Sequence, residues 1–212
     1  MDIKEKWKYS KPFRSVDNRI SSYYRNRLKN DNFTILCSNC IGGCIYHRLG
    51  QKFLSPTINL MMSNPDFVLF CYYLSDYIKM PLEFVEDERP YPVAIIGGEV
   101  LPALKILFVH YKSREEAELK WYERIKRINP NNLFLIMYDS EIELEHIKMV
   151  EQINCKNKVM FSGGKRNDIS WSKQIKPTRK HGYNYLFLDL FGRRYYEKKW
   201  DFVGFLNSEN IR

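Results

Sequence analysis

The chain of 212 residues lacks any apolar run long enough to cross a membrane. Its longest apolar segments, 67–73 and 106–109, fall far short of the roughly 18 residues that a membrane helix requires. The N-terminus is charged where a secretory signal would be apolar. The chain has five cysteines, an odd number that cannot all be paired in disulfides within it. The sequence therefore predicts a cytoplasmic protein whose thiols are reduced.

The sequence also contains no internal repeat and no zinc-finger, RNP-type or helix-turn-helix signature. A net charge of +9 nevertheless favours an acidic partner. A phosphorylated cofactor, a lipid-linked substrate and peripheral contact with an anionic membrane all fit this charge. The basic residues occur in short groups that are typical of solvated faces, so we expect no nucleic-acid partner.

The sequence contains enough apolar residues to form a large hydrophobic core. Hydrophobic residues make up 44% of the chain and aromatic residues 15%. A chain of this length folds without disulfides or metals, because it buries most of its unfolded surface. We predict a helical lead-in over residues 1–31, followed by a single α/β domain over residues 32–212.

Apolar periodicity in the first half predicts a strand, a turn and a helix. Residues 33–37 are short, apolar and typical of a buried strand, and helical spacing resumes at Cys44 and stops at Gly50. A second helix is predicted from Asn64, as N-cap, to about Lys79. Residues 92–96 and 104–110 are two apolar runs whose short link favours an antiparallel hairpin.

The second half alternates strands with helices. The strand ending at His110 is followed by a capping box at Ser113–Glu116, which opens a helix. The pattern continues with a strand at 133–138, a helix at 142–153, a strand at 158–161 and a final strand at 185–190. Such alternation predicts parallel strands. We therefore expect a three-layer α/β fold with a mostly parallel, Rossmann-like sheet and an antiparallel edge hairpin.

Three polar residues follow predicted strands at their carboxyl ends, where α/β sheets bind ligands. They are Cys40, His110 and Asp139. A thiol at a helix N-terminus can act as a nucleophile, an imidazole can take its proton, and a carboxylate can orient the imidazole. Asp189 is the alternative orienting carboxylate. Each residue also has a purely structural interpretation, such as a buried thiol or a helix cap.

Two further groups could serve this chemistry. The backbone at Asn39, Gly42 and Gly43 could stabilise an oxyanion, because the glycines allow close approach. Side chains after the predicted His110 strand could contact a phosphate or a sugar hydroxyl, or could simply be solvated; they are Tyr111, Lys112, Arg114 and Arg124.

A metal site is the competing interpretation of the cysteines. Cys37, Cys40, Cys44 and His47 lie within eleven residues. Structural zinc sites combine two separated ligand pairs, and no second pair is visible in the sequence. We therefore expect no bound metal.

The chain resembles a bacterial family of unknown function. The resemblance spans roughly residues 30–165 and is carried by the segments Ser38–Gly43, Ser55–Asn59, His110–Ser113 and Asn132–Asp139. Cys40, Gly42, Gly43, His110 and Asp139 fall on the family's motif, and Ile41 replaces a frequent aromatic residue. Members are associated with capsule and exopolysaccharide biosynthesis and are sometimes labelled acetyltransferases. The resemblance implies modification of a saccharide or a lipid-linked saccharide.

These observations predict an O-acyltransferase that uses acetyl-CoA and acts in polysaccharide biosynthesis. Cys40 would be the nucleophile, His110 the general base and Asp139 the orienting residue. The alternative is a non-catalytic accessory protein of the same pathway that binds a sugar or a nucleotide. In that case Cys40 would be inert.

Overall fold

The computed structural model describes residues 11–179, 185–186, 188–189 and 192–208, with side chains from residue 14 onward. The final strand predicted at 185–190 lies partly outside the described residues. Within it, Leu188 forms an isolated antiparallel bridge with Arg194. Among the described residues, no helix combines the length and the apolar character needed to cross a membrane.

A four-stranded parallel sheet forms the centre of the molecule. Its strands are β1 (Thr34–Cys37), β5 (Leu133–Tyr138), β6 (Asn157–Ser162) and β7 (Ser172–Gln174), in the order β1-β5-β6-β7. Residues of β5 alternate between two cores, because successive side chains of a strand point to opposite faces. The sheet is therefore covered on both faces, and the predicted mixed α/β class is confirmed.

A second, separate sheet contains β2 (Glu83–Val85), β3 (Val93–Ile96) and β4 (Leu104–Leu107), all antiparallel. The predicted hairpin of β3 and β4 is confirmed, but its place at the edge of the parallel sheet is wrong. Leu107 exchanges both backbone hydrogen bonds with Met61, at 2.8 and 2.9 Å, so the free edge of β4 faces another segment instead of β5. The predicted parallel crossover from β4 to β5 is wrong for the same reason.

The helices cover the sheets in two layers. One layer contains α1 (Lys11–Arg27), α2 (Ile41–Leu49), α7 (Tyr195–Lys199) and α8 (Phe202–Leu206). The other contains α3 (Asn64–Tyr72), α4 (Leu74–Tyr77), α5 (Arg114–Ile125) and α6 (Leu144–Gln152).

Helix starts follow their capping residues, with two corrections. The Ser113 hydroxyl accepts from the Glu116 N–H at 3.2 Å, which confirms Ser113 as the N-cap of α5. The second half of the predicted capping box is wrong, because the Glu116 carboxylate accepts from the Lys112 N–H at 3.1 Å instead of from Ser113. Ser63, and not Asn64, caps α3 by accepting from the Asp66 N–H at 3.1 Å. The single helix predicted to reach Lys79 is interrupted at Tyr73, whose backbone departs from helical geometry.

A buried ion-pair network ties α1 to the rest of this layer. The Arg48 side chain, which is 3% exposed, donates to Glu197 at 3.1 Å and to Asp17 at 2.5 Å. It also donates to the Ser21 hydroxyl and to the Gly192 carbonyl. One cation thus connects α1, α2, α7 and the segment before α7.

The outer edge of β1 is closed by hydroxyl groups. The backbone N–H of Ile35 donates to the Tyr46 hydroxyl, and that of Cys37 donates to the Thr57 hydroxyl, both at 3.0 Å. The Thr34 hydroxyl in turn donates to the Leu54 carbonyl at 3.1 Å. Residues 54–57 therefore run along the strand and bring the next residues to the first turn of α2.

Candidate functional site

The thiol of Cys40 lies beside the imidazole of His110. Cys40 is the N-cap residue of α2, and its Sγ is 3.2 Å from Nε2 of His110. His110 is exposed and stands in the turn that follows β4, where the Tyr111 N–H donates to the Phe108 carbonyl at 3.0 Å. The predicted proximity of these two side chains is confirmed.

A buried polar cluster holds the His110 turn against α2. The Tyr111 hydroxyl donates to the Ile58 carbonyl at 3.0 Å, and Arg124 donates to the same oxygen at 2.7 Å and to the Tyr111 hydroxyl. The Arg124 guanidinium also lies 5.1 Å from the centre of the Phe53 ring. Tyr111 and Arg124 are 6% and 5% exposed. Their predicted contact with a phosphate is therefore corrected: both side chains are buried and bonded to the protein.

Lys112 and Arg114 lie on the side of the antiparallel sheet. Arg114 pairs with Glu86 at 2.6 Å and donates to the Val85 carbonyl at 3.3 Å. The Lys112 N–H donates to the Glu116 carboxylate at 3.1 Å. Both residues line a small cavity of about 280 Å³ beside β2. Their role in phosphate binding stays a prediction.

The three backbone groups predicted to stabilise an oxyanion have different surroundings. The Asn39 side chain accepts from the Ile41 N–H at 2.9 Å and thereby caps α2. The N–H of Gly42 points at the thiol of Cys37. Burial nevertheless raises the pKa of this thiol to about 12. Only the N–H of Gly43, among the two glycines, is without an acceptor in the described part of the chain. Gly43 is therefore the better oxyanion donor.

The surroundings of the Cys40 thiol disfavour its charged form. Burial, with a smaller effect of the nearby Cys44, raises its pKa above the ordinary value. A base that accepts the proton would therefore help the thiol to react, and Nε2 of His110 lies within hydrogen-bonding distance of Sγ.

Asp139 does not contact His110 among the described residues. Its carboxylate accepts from Arg166 at 2.7 Å and from the Ser162 hydroxyl at 3.0 Å. The predicted orienting contact is corrected for this reason: the last residue of β6 and the loop after it each supply a partner for one carboxylate oxygen. Asp189 accepts from the Arg193 N–H at 2.9 Å and pairs with Lys198 at 2.5 Å.

A cavity of about 590 Å³ opens at the carboxyl ends of β5 and β6. Its walls combine aromatic rings with hydroxyl, carboxylate and glycine backbone groups: Tyr138, Asp139, Ser140, Phe161, Ser162, Gly163, Gly164 and Tyr185. Tyr138 lies near the cysteines because β5 runs beside β1, where Cys37 is opposite Ile136. Burial raises the pKa of Tyr138. The sequence analysis did not predict this cavity. Gly163 and Gly164 directly follow a predicted strand and could have indicated a binding site there.

No metal-ligand cluster is found among the described residues. Cys37 is buried in β1 and faces the hydrophobic core that contains α2. Cys44 lies one helical turn from Cys40, in contact with Arg194. Although these residues are close in sequence, the described residues do not bring three or more of them together as metal ligands.

Comparison with known proteins places the chain among uncharacterized relatives. A family model described as a domain of unknown function, DUF1919, matches residues 12–207. An uncharacterized protein of Haemophilus influenzae (strain Rd) is 33% identical over 203 residues, which cover 92% of this chain and 96% of that protein. The range matched by the family model contains the positions of Cys40 and His110.

Proposed function

Since the chain belongs to the DUF1919 family, whose function is unknown, we infer its activity from the site and propose that it is an acyltransferase that carries the acyl group on Cys40. The observation that carries the proposal is the 3.2 Å separation of Cys40 Sγ and His110 Nε2 at the start of α2. A nucleophile within hydrogen-bonding distance of a base is the arrangement that covalent acyl transfer requires.

The first half-reaction would load the cysteine. Sγ attacks the carbonyl carbon of an acyl thioester while its proton passes to Nε2 of His110. The tetrahedral intermediate collapses, its carbon–sulfur bond to the donor breaks, and His110 returns the proton to the departing thiolate. One thioester replaces another, so this step is close to thermoneutral and needs no further reactant.

The second half-reaction would move the acyl group to a hydroxyl. His110 takes the hydroxyl proton, the alkoxide attacks the Cys40 thioester, and the cysteine leaves with the proton from His110. An oxygen ester replaces a thioester, which makes this step favourable. The raised pKa of Cys40 requires His110 to act in both directions as general base and general acid.

The acceptor that fits the neighbouring cavity is a saccharide. Tyr138, Phe161 and Tyr185 offer aromatic faces for the apolar face of a sugar ring, and Asp139 and Ser162 offer hydrogen-bonding groups for its hydroxyls. Together with the family resemblance, this supports a role in capsule or exopolysaccharide biosynthesis, on a free or lipid-linked saccharide.

Acetyl-CoA is the proposed donor. Lys165 is exposed directly after the glycine pair of the cavity and makes no salt bridge among the described residues. It is placed to pair with a phosphate of the donor, and the net charge of +9 supports an anionic ligand in general. If it does so, donor affinity should fall as salt increases.

A non-catalytic sugar- or nucleotide-binding protein is the second candidate. The raised pKa of Cys40 favours it, because a protonated thiol is a poor nucleophile without an effective base. In this case the cavity binds its ligand, and the Cys40–His110 pair merely joins the two sheets.

Incubation with acetyl-CoA, followed by mass spectrometry of peptides, distinguishes the two candidates. An acyltransferase should gain one acetyl group on Cys40 that hydroxylamine removes. Cys40→Ala should lose the adduct and shift the melting temperature little, since the residue is half-buried. Cys155→Ala is the matched control, because Cys155 is also a half-buried free cysteine. Saccharide binding without any acyl adduct would support the accessory role instead.

A further inference from the structure

We propose that a basic cavity at the C-terminal end of α2 binds a phosphate group, with Arg25, His47 and Arg194 as its binding residues. The cavity has a volume of about 320 Å³ and lies between α1, α2 and the segment before α7. The proposal goes beyond the proposed function, because it assigns a second site and stands whether or not Cys40 carries an acyl group.

Positive charge dominates the walls of this cavity. Three arginines and one aspartate line it, which gives a net charge of +2 with the histidine neutral: Arg25, Arg48, Arg194 and Asp17. Glu197 lies next to Arg48, and its carboxylate accepts from that guanidinium at 3.1 Å. The site stays positive even when this carboxylate is included. An anion is therefore the kind of ligand that the cavity attracts.

The buried Arg48 has its own partners and fixes the walls of the cavity. Its guanidinium donates to the Asp17 carboxylate, to the Ser21 hydroxyl at 3.1 Å and to the Gly192 carbonyl. These bonds hold α1 and the segment before α7 against α2. The cavity is therefore formed before a ligand arrives, which is favourable because binding then has to order little of the protein.

Two other guanidinium groups line the cavity without a hydrogen-bonded carboxylate among the described residues. Arg25 is exposed, and its side chain donates to the Ser22 hydroxyl at 3.2 Å. Arg194 lies 3.9 Å from the Glu197 carboxylate, which is beyond hydrogen-bonding distance. The forked guanidinium group can bind two phosphate oxygens at once, which makes arginine well suited to this ligand.

Arg25 also offsets the negative end of α2. The carbonyl end of a helix is unfavourable for an anion. Here Nη1 of Arg25 lies 3.4 Å from the position that a Cβ on Gly50, the C-cap of α2, would occupy. The N–H groups of Gly50 and Gln51 donate to two carbonyls of the last turn at 3.1 and 3.0 Å. A guanidinium thus lies at the helix end that would otherwise oppose the ligand.

The accessible face of α2 leads from Cys40 to this cavity. Of the residues Ile41–Leu49, only Cys44 and His47 are not buried, and the N-cap Cys40 is half-buried. These three residues are four and three positions apart, so they follow one face of the helix. At a rise of about 1.5 Å per residue, His47 lies about 10 Å along the axis from Cys40. A molecule held by its phosphate can therefore extend along this face to the thiol.

Calorimetric titration of the whole chain at low ionic strength tests the site. The probes are inorganic pyrophosphate, coenzyme A, and pantetheine, which lacks the phosphates of the coenzyme. We expect Arg25→Gln and Arg194→Gln each to weaken pyrophosphate binding about 10–100-fold, the usual effect of losing a hydrogen bond between charged groups.

Arg19→Gln is the matched control. It removes the same charge from the exposed surface of α1, but Arg19 does not line the cavity. Its affinity for pyrophosphate should stay near that of the wild type. Retention of the wild-type melting temperature checks the fold of all three variants.

The probes also identify the source of the phosphate. A loss of affinity for both pyrophosphate and coenzyme A in Arg25→Gln, with no binding of pantetheine, would support the site and name the coenzyme as its ligand. A loss for pyrophosphate alone would support a site for another phosphate-bearing molecule.

Two results would overturn the proposal. One is the absence of pyrophosphate and coenzyme A binding by the wild type. The other is equal affinity in Arg25→Gln and Arg19→Gln, since overall charge would then explain the binding. Because the titrations involve no reaction of Cys40, either result would leave the acyltransferase proposal standing, and a Cys40 that is never acetylated would leave this site standing.

Discussion

Cys40 and His110 meet across the junction of two sheets. Cys40 follows the edge strand of the parallel sheet, His110 follows the last strand of the antiparallel sheet, and their Sγ and Nε2 atoms are 3.2 Å apart. Tyr111 and Arg124 donate hydrogen bonds to the Ile58 carbonyl, and these bonds hold the two sheets in this relative position. The chemistry of the site therefore depends on packing between sheets, which makes several variants informative.

His110→Asn should slow acetylation of Cys40 by about 10²–10⁴-fold, the usual contribution of a general base. Asparagine retains a polar side chain of similar size, so the melting temperature should stay near that of the wild type. With 4-nitrophenyl acetate as the acyl donor, the burst of released 4-nitrophenolate measures the rate. His146→Asn is a suitable control, because His146 lies in α6, where its ring accepts from the Glu143 N–H. A wild-type rate in His110→Asn would remove this residue from the mechanism.

The pH dependence of alkylation should reveal the environment of Cys40. Burial raises its pKa above the ordinary value of 9.0, so the thiolate forms only at higher pH. In His110→Asn the rate with iodoacetamide should keep rising with pH beyond 9, because nothing else takes the proton. In the wild type the rate near neutral pH should exceed that of the variant. A profile that reaches its plateau below pH 8 in the variant would contradict the raised pKa.

Gly42→Ala should destabilise the fold by about 1–3 kcal/mol, the usual consequence of overpacking a core. A Cβ there would meet Cys37 Cβ at 3.0 Å and Ile58 Cδ1 at 3.1 Å, which would push α2 away from β1. Urea unfolding measures the change. Gly164→Ala is the matched control, since a Cβ there meets nothing within 4 Å, and it should leave the free energy of unfolding unchanged.

Arg48→Met should cost about 3–5 kcal/mol, because it removes the cation that is hydrogen-bonded to the buried Glu197 and leaves only Arg194, at 3.9 Å from the carboxylate. Burial already raises the pKa of Glu197, and loss of Arg48 should raise it further. A carboxyl whose folded pKa is raised binds protons more readily in the folded state, so the variant should regain stability as pH falls toward the ordinary value of 4.5.

Urea unfolding at several pH values tests this expectation. Arg89→Ala is the control, because Arg89 is 41% exposed and its pair with Asp87 lies on the surface. It should unfold like the wild type. An Arg48→Met variant as stable as the wild type at neutral pH would show that the buried ion pair contributes no net stability.

Local patterns in the sequence were sufficient to predict most elements near the site. The turn at Cys40, the N-cap at Ser113 and the strand at 133–138 all follow from short-range rules of periodicity and capping. The class of fold follows from them as well. These features are encoded within about ten residues of chain, which is the range over which sequence patterns act.

What sequence could not predict depends on contacts between distant segments. The separation into two sheets follows from the pairing of Leu107 with Met61, 46 residues earlier in the chain. Asp139 binds Arg166 instead of His110, and Arg124 turns inward toward Ile58.

The hydroxyl groups along β1 also bear on how the chain avoids aggregation. An edge strand with free N–H groups is a template onto which another chain can add a strand. Here the Tyr46 and Thr57 hydroxyls accept hydrogen bonds from the outward N–H groups of Ile35 and Cys37. The edge of β1 is therefore closed without a further strand. A nascent chain whose 54–57 segment has yet to dock would still present the Cys37 N–H. Misassembly through this strand is therefore most favoured before that segment docks.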